Sequence, residues 1–159
     1  MKKTLLVLLS PLLLMACGKP VDLDYNSAVA PIFLHNVQRL DHDMERLISG
    51  EFDADHAATR SAQGDDPGSR ITELEQNLNQ VQQLQHSEEA SKFASSLSHY
   101  YELQIGYYQQ LRLYSQTQDK ARQETLVNDL NHTYQALKVM PDQVLAAQRN
   151  FLARADQLH

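Results

Sequence analysis

Cysteine and tryptophan are almost missing from this chain. Cys17 is the only cysteine in 159 residues, and tryptophan does not occur. One thiol cannot form an intramolecular disulfide, so the stability of the fold must come from packing. A Cys-x-x-Cys-His haem attachment motif is also excluded.

Glycine is scarce as well, with five residues in the whole sequence. There is no Gly-x-Ser-x-Gly nucleophile elbow and no glycine-rich phosphate loop. No pattern of residues therefore points to catalysis, and the sequence predicts that the protein is not an enzyme.

Positive charge is the third shortage, because 14 lysines and arginines stand against 20 aspartates and glutamates. A protein that binds nucleic acid needs a basic stripe to neutralise phosphates, and no such stripe is visible. The same shortage argues against electrostatic attachment to anionic lipid. We expect no nucleic-acid partner.

The N-terminus contains the one long apolar run, in the stretch MKKTLLVLLSPLLLMAC. Lys2 and Lys3 precede a core of about ten apolar residues, which is too short to span a bilayer as a permanent helix. This layout is typical of a secretory signal peptide.

The end of that stretch, Leu14-Met15-Ala16-Cys17, resembles the lipobox of bacterial lipoprotein precursors. The resemblance implies that residues 1–16 are a signal peptide and that Cys17 is the site of lipid attachment. A diacylglycerol would be joined to its thiol, and its new amino group would be acylated after cleavage. Three fatty chains anchor a protein far more firmly than one.

In bacterial lipoproteins, an aspartate directly after the cysteine resembles an inner-membrane retention signal. This chain has Gly18 at that position. The resemblance therefore implies an outer-membrane lipoprotein that faces the periplasm, with the periplasmic face of the inner membrane as the alternative. The mature chain would have 143 residues, with 12 basic and 20 acidic side chains and a net charge of −8.

The mature chain is rich in glutamine, leucine and alanine and poor in valine and isoleucine, which favours an all-α fold. We predict a tether over 17–26 and a single helical domain over 27–159, with a flexible loop at about 51–69. Pro31 is expected in the opening turn of the first helix, and Gly50 is expected to cap its end.

The number of helices depends on two breaks, at Ser87 and at Pro141. If both are turns, the chain forms an up-and-down antiparallel bundle of four to five helices. If both are only kinks, residues 71–116 form one long helix, and the alternative is an elongated three-helix rod.

Tyrosines recur at a heptad spacing in the stretch SHYYELQIGYYQQLRLY. Tyr100 and Tyr107 share the apolar stripe of their helix, so we expect them in the core. Tyr101 and Tyr108 lie about 100° further round the helix and are candidates for an exposed binding surface. Gly106 between them would permit close approach of a helix or a ligand.

Three histidine–glutamate pairs have one-turn spacing, and all three are predicted to be solvated pairs rather than metal ligands inside the bundle. They are His42 and Glu45, His86 and Glu89, and His99 and Glu102. The inward-facing ligand pattern of di-iron bundles is not reproduced. No metal site and no cofactor is predicted, apart from the covalent lipid on Cys17.

These observations predict a lipid-anchored periplasmic helical protein that tethers or assists another component of the cell envelope. Its partners would be the membrane, through the anchor, and an envelope protein. The alternative is a periplasmic lipoprotein that binds a small ligand or a metal through Tyr101, Tyr108 and the loop at 51–69.

Overall fold

The computed structural model describes residues 21–53, 56, 60 and 66–155, and the regular elements in that part of the chain are helices. The prediction of an all-α fold is confirmed. The predicted signal peptide and Cys17 lie outside the described residues. The helices are α1 (Val21–Ile48), α2 (Pro67–Gln83), α3 (Ser91–Gln116) and α4 (Lys120–Ala155).

Side-chain pairs between the helices establish their directions. Residues of α1 and α3 pair in increasing order, as in Phe33 with Tyr100 and Asp43 with Tyr108, so these helices are parallel. The pairs between α1 and α4 run in opposite order, because Asp41 meets Tyr134 and Asn26 meets Gln148. Asp22 contacts Ser87 and Asp43 contacts Arg70, which makes α2 antiparallel to α1. The chain is an up-down-up-down bundle.

Helix α1 begins at Val21, six residues before the predicted start, so residues 21–26 of the predicted tether are helical. The side chains explain the difference. Tyr25 is almost fully buried, and its ring meets those of His86 and Phe93 edge-on. Pro31 consequently lies in the helix interior, not in the first turn, and leaves the Ser27 carbonyl without its usual backbone donor.

The C-terminus of α1 agrees with the prediction that Gly50 caps it. Gly50 has a φ of 79°, a left-handed conformation that favours glycine. Its N–H donates to the Leu47 carbonyl, and the N–H of Glu51 donates to the Arg46 carbonyl. This pair of bonds is the Schellman arrangement, which satisfies the last carbonyls of the helix.

The segment predicted as a flexible loop at 51–69 contains packed side chains at the positions that the structure describes. Phe52 is buried, and the guanidinium of buried Arg60 donates to the carbonyls of Glu51, Phe52 and Asp53. Residues 67–69 belong to α2, whose first amides are capped by the Asp66 carboxylate. The rest of the segment lies outside the described residues.

The two predicted breaks have different outcomes. Residues 84–90 separate α2 from α3, so the break at Ser87 is a true connection and the rod alternative is wrong. Pro141 lies inside α4, a helix of 36 residues that continues on both sides of the proline. The described part of the chain therefore forms four helices, within the predicted range of four to five.

Among the residues that the structure describes, no helix is both long enough and apolar enough to cross a bilayer.

A buried polar cluster as candidate functional site

Helix α3 lies at the centre of the bundle, and this position determines how far its tyrosines are buried. It packs against α2 and α4, and its side chains also reach α1. Tyr100 and Tyr107 are buried, as predicted. Tyr101 and Tyr108 are only 0% and 3% exposed, so the prediction that their side chains are exposed is wrong. A helix with neighbours on three sides buries more than one stripe.

Asp43 of α1 is the centre of a charged cluster inside the bundle. Its side chain is 1% exposed, and the Tyr108 hydroxyl donates to Oδ2 at 2.7 Å. Arg46 lies 3.2 Å from Oδ1, and Nε of Arg70 lies 3.5 Å from Oδ2. Because a buried carboxylate is costly without partners, these contacts hold α1, α2 and α3 in one arrangement.

Asn36 and Gln104 form a neutral extension of this cluster between α1 and α3. The Gln104 amide donates to the Tyr100 hydroxyl at 2.9 Å and to the Asn36 carbonyl at 3.3 Å. Nδ2 of Asn36 and Oε1 of Gln104 are buried and make no hydrogen bond with the described residues. Both residues line a cavity of about 10 Å³, which has room for about one water molecule and not for a larger ligand.

The tyrosine hydroxyls of the cluster are held in their neutral form. Burial, and then the nearby Asp43 carboxylate, raises the pKa of Tyr108 well above its usual value. Burial also raises the pKa of Tyr100 and Tyr107, in each case as the largest cause. These groups act as hydrogen-bond donors and structural contacts, and none is prepared to lose a proton at neutral pH.

The histidine–glutamate pairs do not assemble into a metal site in the part of the chain that is described. Nδ1 of His99 lies 3.9 Å from Oε2 of Glu102, and both side chains are more than half exposed. No group of three or more potential metal-ligating side chains comes together among the described residues.

Gly106 does not serve the role that we predicted for it. A methyl group built on its Cα meets no atom of another helix within 4 Å, so no helix approaches Gly106 closely on that side.

The sequence contained a sign that Asp43 is buried, because this charged residue occupies an apolar position of the helical repeat. Asp43 lies three residues after Leu40 and four before Leu47, in the apolar stripe of α1. Arg70 likewise precedes Leu74 by four residues on the buried face of α2. A charged residue in apolar register, with an opposite charge in the register of another helix, predicts a buried pair.

No protein-family model, no curated protein and no solved structure matches this chain. Its function has to be inferred from the residues and their geometry.

Proposed function

We propose that the protein is a lipid-anchored helical interaction protein of the bacterial envelope, held on the outer membrane and facing the periplasm. The observation that supports this proposal is the lipobox, Leu14-Met15-Ala16-Cys17, followed at once by a folded bundle. The buried cluster around Asp43 fits a role in holding helices together rather than in chemistry.

The distance between anchor and bundle adds to the proposal. Val21 begins α1 four residues after Cys17, and four residues reach about 14 Å at most. Lipid on Cys17 would therefore hold the N-terminal end of α1 close to the membrane. The C-terminal end of this helix lies about 40 Å away along the bundle axis.

The surface indicates how a partner would be recognised. The apolar stripes of the four helices face one another, and the exposed large apolar side chains are spread over α1, α3 and α4. Among the described residues they are Leu23, Leu34, Ile48, Leu113 and Val139. We expect an envelope partner to be held mainly through polar contacts.

The anchor is tested by the mass of the mature chain and by a Cys17→Ser variant. We expect the wild-type chain, purified from membranes, to carry the mass of three fatty chains. The variant should leave the membrane fraction and keep its helical circular dichroism. An unmodified wild-type mass, or a variant that fractionates unchanged, would contradict the proposal.

The partner is tested by crosslinking in intact cells, followed by mass spectrometry of the captured envelope proteins. The Cys17→Ser variant serves as the control, because it keeps the bundle and loses the proposed location. Capture of the same proteins by both forms would show that the anchor does not select the partner.

A further inference from the structure

The C-terminal half of α2, with the two residues that follow it, has an unusual side-chain chemistry. Residues 76–85 read QNLNQVQQLQ, with seven amides, three aliphatic residues and no charge. Charged residues make up 21% of the whole chain, and in α2 they occur only at Arg70, Glu73 and Glu75. An exposed helix face is ordinarily kept soluble by charges, and here amides replace them.

The structure places most of these amides on the outside. Gln76, Asn79, Gln80 and Gln83 are exposed and, together with half-buried Leu84, line a shallow, open groove along one face of the helix. We refer to these four amides as the amide surface. The aliphatic residues Leu78 and Val81 face the bundle instead.

A second groove of about 410 Å³ runs along the other flank of α2, against α3. Gln82, Ser95 and Ser98 are among the residues that line it. Of the residues that line the two grooves, Glu102 is the only aspartate, glutamate, lysine or arginine. His86 and His99 also line the second groove, so the part of this region without charged or titratable side chains is the amide surface.

The amides make few bonds within the bundle. Gln83 donates to Asn79 at 3.0 Å, and this is the one side-chain hydrogen bond that the amide surface makes with the described residues. Each amide has two N–H donors and a carbonyl acceptor, so most of this capacity is open to a ligand.

We propose that the amide surface binds a neutral carbohydrate chain. Sugar hydroxyls donate and accept hydrogen bonds, as amides do, and acetamido groups on a sugar pair with amides directly. The methyl groups of Leu84 provide an apolar contact for the C–H face of a sugar ring. An ion or a polyelectrolyte would gain nothing from a surface without charge. This inference does not depend on the lipid anchor.

The test is a titration of the full chain, in detergent micelles without a sugar headgroup, followed by NMR of the side-chain amide groups. The probes are triacetylchitotriose, maltotriose and an uncharged glycine–serine peptide. We expect saturable shifts with at least one sugar, centred on the amide surface. Binding should be the same at about 50 and 300 mM salt, because no charge is involved.

A Gln80→Ala/Gln83→Ala variant should weaken binding about tenfold, as expected for two lost hydrogen bonds. The matched control is Gln135→Ala/Gln143→Ala, which removes two exposed amides from α4 and should bind like the wild type. The proposal is overturned if neither sugar shifts these amides or if the peptide shifts them equally. It is also overturned if both variants bind like the wild type, or if the shifts follow protein concentration without a probe.

Discussion

Pairs of tyrosine and aspartate join α1 and the connection that follows it to the other helices. Tyr108 donates to Asp43 in the core, Tyr134 donates to Asp41 at the surface, and Tyr114 donates to Asp53 at 2.5 Å. The chemistry of the bond is the same in each pair, and the surroundings differ. Burial therefore decides what each residue contributes to stability.

The substitution Tyr108→Phe should lower the free energy of unfolding by about 1–2 kcal/mol, since a buried carboxylate loses a donor. Asp43→Ala should cost more, about 2–3 kcal/mol, because Tyr108, Arg46 and Arg70 all lose contacts with this carboxylate. The two arginines keep their pairs with Glu51 and Glu73. Urea denaturation measures both losses of stability. Tyr134→Phe is the matched control, and its surface bond should be worth less than about 1 kcal/mol. Equal losses for Tyr108→Phe and Tyr134→Phe would show that burial does not strengthen the pair.

Gly106 gives a second prediction, with the opposite sign. Glycine in a helix interior is less stable than alanine by about 0.5–1 kcal/mol, and no atom of another helix lies within 4 Å of a new methyl group. Gly106→Ala should therefore raise the urea midpoint by a corresponding amount without changing the slope of the transition. Destabilisation would mean that the neighbouring helices come closer to Gly106 than the structure shows.

The stability of an individual helix depends on how its ends are capped and on where its prolines lie. Asp66 caps α2 through its contacts with the N–H groups of Gly68 and Ser69. Burial alone would raise the pKa of Asp66, but these bonds and that from the Ser69 hydroxyl lower it. Pro67 follows at the first position of α2, where a missing N–H is harmless. Pro141, in contrast, lies in the middle of a helix, where an N–H is needed.

Pro141 deprives the Leu137 carbonyl of its helical donor in the middle of α4. Pro141→Ala restores an N–H at this position and should stabilise the protein by about 1–3 kcal/mol. Thermal unfolding followed by circular dichroism measures the gain. Pro67→Ala is the control. It should not raise the melting temperature, because an N–H at the first position of a helix has no helical carbonyl to bind. An unchanged or lower melting temperature for Pro141→Ala would mean that the proline ring packs better than alanine does.

The helices themselves were largely predictable, and their environments were not. The Gly50 cap and the break near Ser87 follow from local chemistry that acts over a few residues. The burial of Tyr101 and Tyr108 depends on how many neighbours α3 has, which periodicity along one helix does not determine. The early start of α1 depends on contacts of Tyr25 and Asp22 with residues more than sixty positions away.

The whole molecule resists alkali through its buried phenols. Burial raises the pKa of Tyr101 to about 12, and burial, and then Asp53, raises that of Tyr114 to about 12. In the unfolded chain both ionise near pH 10. A raised pKa in the folded state stabilises the fold below pH 10, and this contribution is lost as the pH rises through 12.

We therefore expect the bundle to unfold cooperatively between about pH 10 and pH 12, together with the appearance of tyrosinate. Ultraviolet absorbance reports the ionisation and circular dichroism reports the helices. A tyrosinate signal that develops near pH 10 while the helices remain intact would contradict the burial described above.

The up-down-up-down order brings the start of α1 and the end of α4 to the same face of the molecule, where Asn26 meets Gln148 and Phe93 stacks on Phe151. Should Cys17 carry lipid, a fluorescent reporter inserted directly after α4 would be pressed between the bundle and the bilayer. A reporter inserted in the turn at 117–119 would instead stand clear of the membrane, which makes that turn the better position for labelling the protein in cells.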